Sequence, residues 1–343
     1  MLLEEGKLNL ILGISFGSEG KGNVCEYIAR NCDIDLAIAN NTPNAGHFYH
    51  TDDGEERLAK VLPVCGIVNK KSNILLGSGS AINIDILNKE MAEADCANRT
   101  LISATAPVVN QKCIDWEVEH LQYIASTFQG SGAAIGLKAM RSKDIQIVRD
   151  VPELEKYCHF HLADIIMNRL QKHGKTALAE ICQGYGLSVD SEFYPYCTSR
   201  PVNAGQALGY LDVPPQIVGN VIGVTRTYII RVGNVPEGYS GDTYFDSEEK
   251  TWEEISEHIG RPVSELTSVT KRVRRVFTFS KHMFEQAVRR NGVNVLFLTF
   301  CDYLVGNEKQ EFIDYLTSDQ FNFKEIYFVS GFGEFDNNVE KIK

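Results

Sequence analysis

Short apolar runs alternate with amphipathic stretches along this chain, and most of the runs end in small or polar residues. Residues 8–12, Leu-Asn-Leu-Ile-Leu, read as a buried strand, and the segment that follows places Val24, Tyr27 and Ile28 at helical spacing. The strand pattern returns at 35–39, 73–76, 99–103, 176–182, 221–231, 293–299 and 326–329. Helical patterns fall at 85–94, 151–173 and 281–290, the last with Met283, Phe284, Ala287 and Val288 on one side. Strands alternating with helices predict an α/β fold: a large central, mostly parallel twisted sheet, helices on both faces, and phosphate-binding loops at the strand C-terminal ends. No internal repeat, low-complexity tract or linker interrupts the pattern, so residues 1–343 are expected to form one domain.

Composition narrows the partners. With 43% hydrophobic and 23% charged residues, the chain reads as a soluble globular protein, and its net charge of −11 argues against a nucleic acid polymer as partner. A small anion remains open, since local cations can outweigh the overall field. Nine cysteines without a C-x-x-C pair and without a signal peptide read as reduced thiols of a cytoplasmic protein. Cys158, His159 and His161 are close in sequence, but adjacent positions of a helix face different ways, which disfavours a metal site. No apolar run approaches the roughly 18 residues of a membrane span.

The chemistry concentrates in loops. Gly17-Ser18-Glu19-Gly20-Lys21-Gly22 follows the first strand and opens the first helix, presenting backbone N–H groups, a helix N-terminus and a lysine charge to an anion. It departs from the P-loop: Ser15 stands where the first glycine should be, and Gly22 replaces the hydroxyl that would hold Mg²⁺. An ordinary tight turn would have the same composition. Asn44-Ala45-Gly46-His47 follows a second strand-like run, and two such loops leaving neighbouring parallel strands would line one crevice. Thr127 to Gly132, with Lys138 and Arg141 beyond, suits a mobile phosphate-binding loop or a plain flexible connection. Gln183, Thr198 and Asn203 could read a base or sugar edge, or serve as turn formers. Lys271, Arg272, Arg274 and Arg275 put four cations into five residues beside Ser268 and Thr270.

Taken in order, Gly17 to Gly22, Asn44 to His47, Gln183-Gly184, Tyr194-Pro195-Tyr196 with Thr198-Ser199, Arg231-Val232-Gly233, Ser268 to Arg275 and Thr299 to Asp302 resemble adenylosuccinate synthetase, from residue 8 to about 333. That family joins aspartate to C6 of a purine nucleotide: a nucleoside triphosphate phosphorylates the 6-oxygen, and the amine then displaces phosphate. The resemblance implies catalytic positions at Ser18, Lys21, His47 and Gln183. It implies a donor-nucleotide site of Gly17, Glu19, Gly20, Lys21, Gly22, Gly46, His47, Arg274, Asp302, Ser330, Gly331 and Gly333. Asn44, Gly130, Ser131, Arg141, Gln183, Thr198 and Arg272, with Ser18, would hold the purine monophosphate, Arg141 reaching it from the second subunit of a homodimer. Val269, Thr270 and Arg272 would hold aspartate. Mg²⁺ is the implied cofactor, with Ser18 and the Gly46 carbonyl at its ligand positions.

Two departures bear on the substrate. The family has Asp where this chain has Ser18, and a hydroxyl is a poor base and a weak metal ligand. The shorter side chain frees room where a 2-amino group would sit, and a viral branch of the family that uses deoxyguanosine monophosphate is similar here. The expected substrates are therefore dGMP, L-aspartate and ATP or dATP, the product being the succino precursor of 2-aminoadenine. Phe300 replaces the lysine of the family's Thr-Lys-x-Asp, which weakens guanine selection in the donor. The alternatives are the ordinary reaction on IMP with GTP, and a non-catalytic nucleotide-binding homologue.

Overall fold

The computed structural model describes residues 1–267, 271–331 and 338–343. Among them, ten strands form one sheet, centred on Leu8–Gly13, whose six residues are all buried. To one side lie Val218–Arg226, Val295–Thr299, Glu325–Val329 and the edge strand Val339–Lys341. To the other lie Ala177–Gly184, Leu36–Ala39, Asn73–Leu76, Thr100–Ser103 and Cys158–His159. Every pairing is parallel except that of the Val339–Lys341 edge. The α/β reading is correct.

Alternate residues of the central strand feed two cores, as the period of two requires. Ile11 packs with Val24 and Ile28 of the Lys21–Asn31 helix, whereas Leu8, Leu10 and Leu12 join Leu162, Ile166, Phe284 and Ala287 on the opposite face. Helices cover both faces, so nearly every position of the inner strands is apolar.

Three expectations need correction. Leu8–Gly13 and Leu36–Ala39 are parallel but not neighbours, because Ala177–Gly184 is inserted between them. That strand has seven of its eight residues buried and suits a central place, but nothing local in the sequence encodes strand order. Residues 151–173 do not form one long helix. A 3₁₀ turn, Pro152–Tyr157, leads into the short strand Cys158–His159, which pairs with Thr100–Ser103, before Leu162–Met167 and a π turn, Asn168–Lys172. Pairing with the otherwise open sheet edge overrides the local helical spacing.

The third concerns 221–231, which splits between two sheets. Val218–Arg226 stays in the large sheet, while Ile229–Arg231 pairs antiparallel with Arg275–Phe277, itself flanked by Glu249–Lys250. The polar insertion that the sequence shows at 236–262 is therefore structured. It carries the helix Trp252–Ile259, whose Thr251 and Glu254 form a capping box. Among the described residues, no group of three or more His, Cys, Asp or Glu could hold a metal, and no helix is long and apolar enough to cross a membrane.

Candidate active site

The turn after the central strand is built by close backbone approach. Gly17 and Ser18 both take positive φ, 85° and 57°, and Gly20, also left-handed, caps the Lys21–Asn31 helix. Glu19 folds back beneath this turn, its carboxylate accepting from the Ser15 and Gly17 amides at 3.1 and 2.8 Å. Burial pushes its pKa up against these bonds. Gly184 at the end of the neighbouring strand lets the turn settle, since a Cβ there would run into the Gly17 nitrogen and the Ser15 carbonyl oxygen. Gly22 serves the other side: a Cβ on it would meet the backbone of Phe48, 3.0 Å from its nitrogen. The residue that breaks the P-loop pattern is thus the one that lets the hairpin His47–His50 and Glu56–Ala59 dock on the helix start.

That docking brings Lys21 and His47 together. Both are buried, and neither Lys21 Nζ nor His47 Nε2 has a hydrogen-bond partner among the described residues. Burial, and then the Lys21 charge, hold the imidazole well below its ordinary pKa, so it is neutral at pH 7. An unpaired buried ammonium beside a neutral imidazole is costly without a ligand and well suited to an incoming phosphate.

Both groups line one cavity of about 360 Å³. Gly17, Ser18, Glu19, Gly20 and Gly22 form its floor, and Asn44, Gly46 and Gln183 join them from the next loops. Gln183, at φ 70°, donates through Nε2 to Asn44 Oδ1 at 3.3 Å, and Thr42 Oγ1 donates to the same oxygen at 2.5 Å. The loop that follows Leu36–Ala39 is thereby joined to the end of the strand Ala177–Gly184. Arg274 closes the opposite wall, its Nε on the Leu266 carbonyl at 2.9 Å and its guanidinium 4.0 Å from Glu265. Burial lowers its pKa to about 10, still far above neutrality. The lining sets Lys21, Arg231 and Arg274 against Glu19, Glu56 and Glu265, but Glu19 is bound to two amides and Glu265 to Arg226, which leaves Lys21 as a cation with no hydrogen-bond partner among the described residues.

Other anticipated residues lie around this centre. Arg272 is half-buried beside the pocket, with its amide on Thr267 Oγ1 at 2.9 Å. The Thr198 amide donates to the carbonyl of Leu187, a pocket residue, at 2.8 Å. Asp302 already has partners: Arg261 on one oxygen, and the Gly331 amide on the other at 2.9 Å. The Ser330 amide is bound to the Asn338 carbonyl. Val269, Thr270 and Gly333 lie outside the described residues.

Residues 131–139 form a helix, Ser131–Ala139, capped by left-handed Gly130. Its N-terminal amides are taken within the chain: Glu117 accepts from Gly130, Gly132 and Ala133 at 2.8, 2.7 and 3.3 Å. Ser131 Oγ is buried with no hydrogen-bond partner among the described residues. Lys138 turns to the Ser78 carbonyl at 2.8 Å, and Arg141, with φ 58°, is exposed.

Sequence reasoning missed the groups behind the pocket. Arg226 is fully buried, lies 3.6 Å from the centre of the Phe300 ring, and pairs with Glu265 through both terminal nitrogens. Arg231, which the sequence offered as part of the Arg231-Val232-Gly233 motif but without a role, lines the pocket itself, stacks on Phe16 at 4.4 Å and donates to the carbonyls of Ser240, Asp242 and Tyr196. A signal for Arg226 was present, an arginine ending an apolar strand, but its carboxylate partner, Glu265, lies 39 residues away, beyond the polar stretch 236–262.

Comparison with known proteins gives a family and several relatives. The family model for adenylosuccinate synthetase matches residues 10–157 and 145–320. Among similar proteins is the N6-succino-2-amino-2'-deoxyadenylate synthase of Vibrio phage phiVC8, 35% identical over 97% of each chain. The adenylosuccinate synthetase of Methanosphaera stadtmanae is 31% identical over 86% of this chain and 83% of its own. Among solved structures, the cyanophage S-2L succinoaminodeoxyadenylate synthetase, bound to dGMP and to dATP as an energy donor, superposes with a TM-score of 0.84. It is 32% identical, with 98% of this chain and 95% of that one covered.

Proposed function

Because the chain belongs to the adenylosuccinate synthetase family of C–N ligases, we propose that it condenses dGMP with L-aspartate, using ATP or dATP, to N6-succino-2-amino-2'-deoxyadenylate. The donor γ-phosphoryl group passes to O6 of the guanine, which releases the nucleoside diphosphate, and the aspartate amine then attacks C6 and displaces phosphate. The observation that carries this reading is residue 18. A serine, exposed at the cavity wall alongside Asn44 and Gln183, stands where the family has a carboxylate, which leaves space beside the base for an exocyclic amine.

The remaining roles are carried over from the family resemblance, and charge and placement support those of the residues that line the pocket. Lys21 and the amides at Gly20 and Gly22 cradle the donor phosphates, and the neutral His47 imidazole donates to the phosphoryl group in transit. Ser18, Asn44, Gln183, Thr198 and Arg272 hold the purine monophosphate. Arg274 serves the donor nucleotide, with Asp302 and the Ser330–Gly331 backbone toward its base. Val269, Thr270 and Arg272 receive aspartate. Arg141, exposed at the end of its helix, would serve a second copy of the chain in a homodimer. The ten strands run from Leu8 to Lys341, which supports reading residues 1–343 as one domain.

Mg²⁺ fits this donor set in one form only. The Glu19 carboxylate is turned inward onto two amides, so Ser18 Oγ and the Gly46 carbonyl would be its protein ligands, with substrate phosphates and water completing the shell. When bound, the ion would neutralise charge on the phosphates.

The test is a product assay by mass, with dGMP or IMP as acceptor and ATP, dATP or GTP as donor. The succino adduct is expected from dGMP with an adenine donor. Its formation from IMP alone would restore the ordinary synthetase reaction, and tight binding without turnover would leave a nucleotide-binding homologue.

A further inference from the structure

One buried guanidinium links the two ends of the pocket. Arg226 Nη1 donates to the Ser18 carbonyl at 3.1 Å and to Glu265 Oε2 at 3.1 Å, while Nη2 donates to Glu265 Oε1. The guanidinium lies 3.6 Å from the centre of the Phe300 ring, and Tyr303 Oη donates to Glu265 Oε1 at 3.1 Å. Ser18 and Phe300 share an unusual backbone state: both have φ 57°, in the left-handed region that residues with a Cβ seldom occupy.

A second tie runs in parallel. Thr299 Oγ1 is within 2.9 Å of the carbonyls of Glu19 and Thr225, and Thr227 Oγ1 donates to the Phe300 carbonyl at 2.8 Å. The 299–300 turn is therefore fastened to two successive carbonyls of the glycine-rich loop, Ser18 through Arg226 and Glu19 through Thr299. Neither residue can leave its left-handed state without disturbing a hydrogen bond or a stack held by the other side. A flat guanidinium against an aromatic face needs an uncharged ring at position 300, and a cation there would repel it.

We propose that Arg226 is a positioning residue that couples the side chain at position 300 to the backbone of residue 18, so that Phe300 helps set preference for the acceptor base. This rests on the reading that Ser18 faces the 2-amino group of dGMP. Phe300 then acts at a distance from the acceptor, by keeping Arg226 flat and the Ser18 carbonyl in place. Substituting Phe300 should alter discrimination between dGMP and dIMP even with no donor present.

The experiment measures equilibrium binding of dGMP and dIMP, without donor, to the full chain and to Phe300→Leu and Arg226→Lys, with a thermal melt of each. The unsubstituted chain is expected to prefer dGMP, and each variant to bring the affinity ratio at least fivefold closer to one. A merely structural role would weaken both nucleotides alike. Phe300→Leu decides the matter if Arg226→Lys fails to fold, because it leaves the Arg226–Glu265 pair intact. An unchanged ratio in Phe300→Leu, with only the donor KM altered in turnover, overturns the coupling alone. Failure of the unsubstituted chain to bind dGMP would instead remove the proposed substrate, and this inference with it.

Discussion

Gly22 and Phe48 are in backbone contact: a Cβ on Gly22 would stand 3.0 Å from the Phe48 nitrogen and nearer still to its carbonyl oxygen. The position where a P-loop carries its metal-binding hydroxyl is therefore closed to any side chain. Gly22→Ser is expected to lose about 1–3 kcal/mol of stability from overpacking and to lower turnover by displacing His47. Urea denaturation and a steady-state assay would show both effects. A variant that gained activity would mean that the hairpin yields.

Lys21 separates stability from activity. Its ammonium is buried without a hydrogen-bond partner among the described residues, so Lys21→Met should stabilise the ligand-free chain by about 1–3 kcal/mol. Removing a phosphate-binding cation should lower kcat by about 10²–10³-fold. The two expectations have opposite signs, and general unfolding cannot satisfy both. Thermal melts with and without ATP, together with kcat, check them.

His47 makes the ligand-free chain sensitive to mild acid. Its folded pKa is held well below 6.5, so below about pH 6.5 the unfolded chain binds a proton that the folded chain refuses. Stability from this group is complete above that pH and falls as pH drops, by at most about 1.4 kcal/mol per pH unit. His47→Asn should flatten this part of the profile. Denaturant midpoints at pH 5.0, 6.0 and 7.5 would reveal it.

Glu117 holds the start of the Ser131–Ala139 helix, taking the amides of Gly132 and Ala133 and that of the capping Gly130 on one carboxylate. Glu117→Ala should cost about 1–3 kcal/mol, and Glu117→Gln, which keeps one acceptor oxygen, should recover part of it. Chemical denaturation of the two variants measures this. Equal losses would show that the negative charge outweighs the hydrogen bonds.

The parts of the molecule legible in the sequence are those fixed by local pattern. The inner strands announce themselves as apolar runs because both faces are covered, and Lys21 follows its glycines at the helix start as expected. His47 was found through the small residues before it, although its contact with the helix start depends on the missing Cβ of Gly22. The Arg226–Glu265 pair was not legible, because two charges 39 residues apart look like solvated surface until the fold buries them. Residues 158–159 were misread for a similar reason: their partner strand, at 102–103, lies more than fifty positions earlier. Glu117 gave no sign of its role, since carboxylates on helices usually face water.

The placement of Ala177–Gly184 between Leu8–Gly13 and Leu36–Ala39 has a consequence for how the molecule is made. Lys21 and His47 leave the ribosome early, yet the strand that spaces their loops is synthesised more than a hundred residues later. A nascent chain ending before residue 177 lacks the middle rail of its own sheet: Leu8–Gly13 is an unmated hydrophobic ribbon, and Leu36–Ala39 is paired along one edge alone. Assembly of the pocket is thus a late event in biosynthesis, and the large sequence separation of its central pairings points to slow maturation.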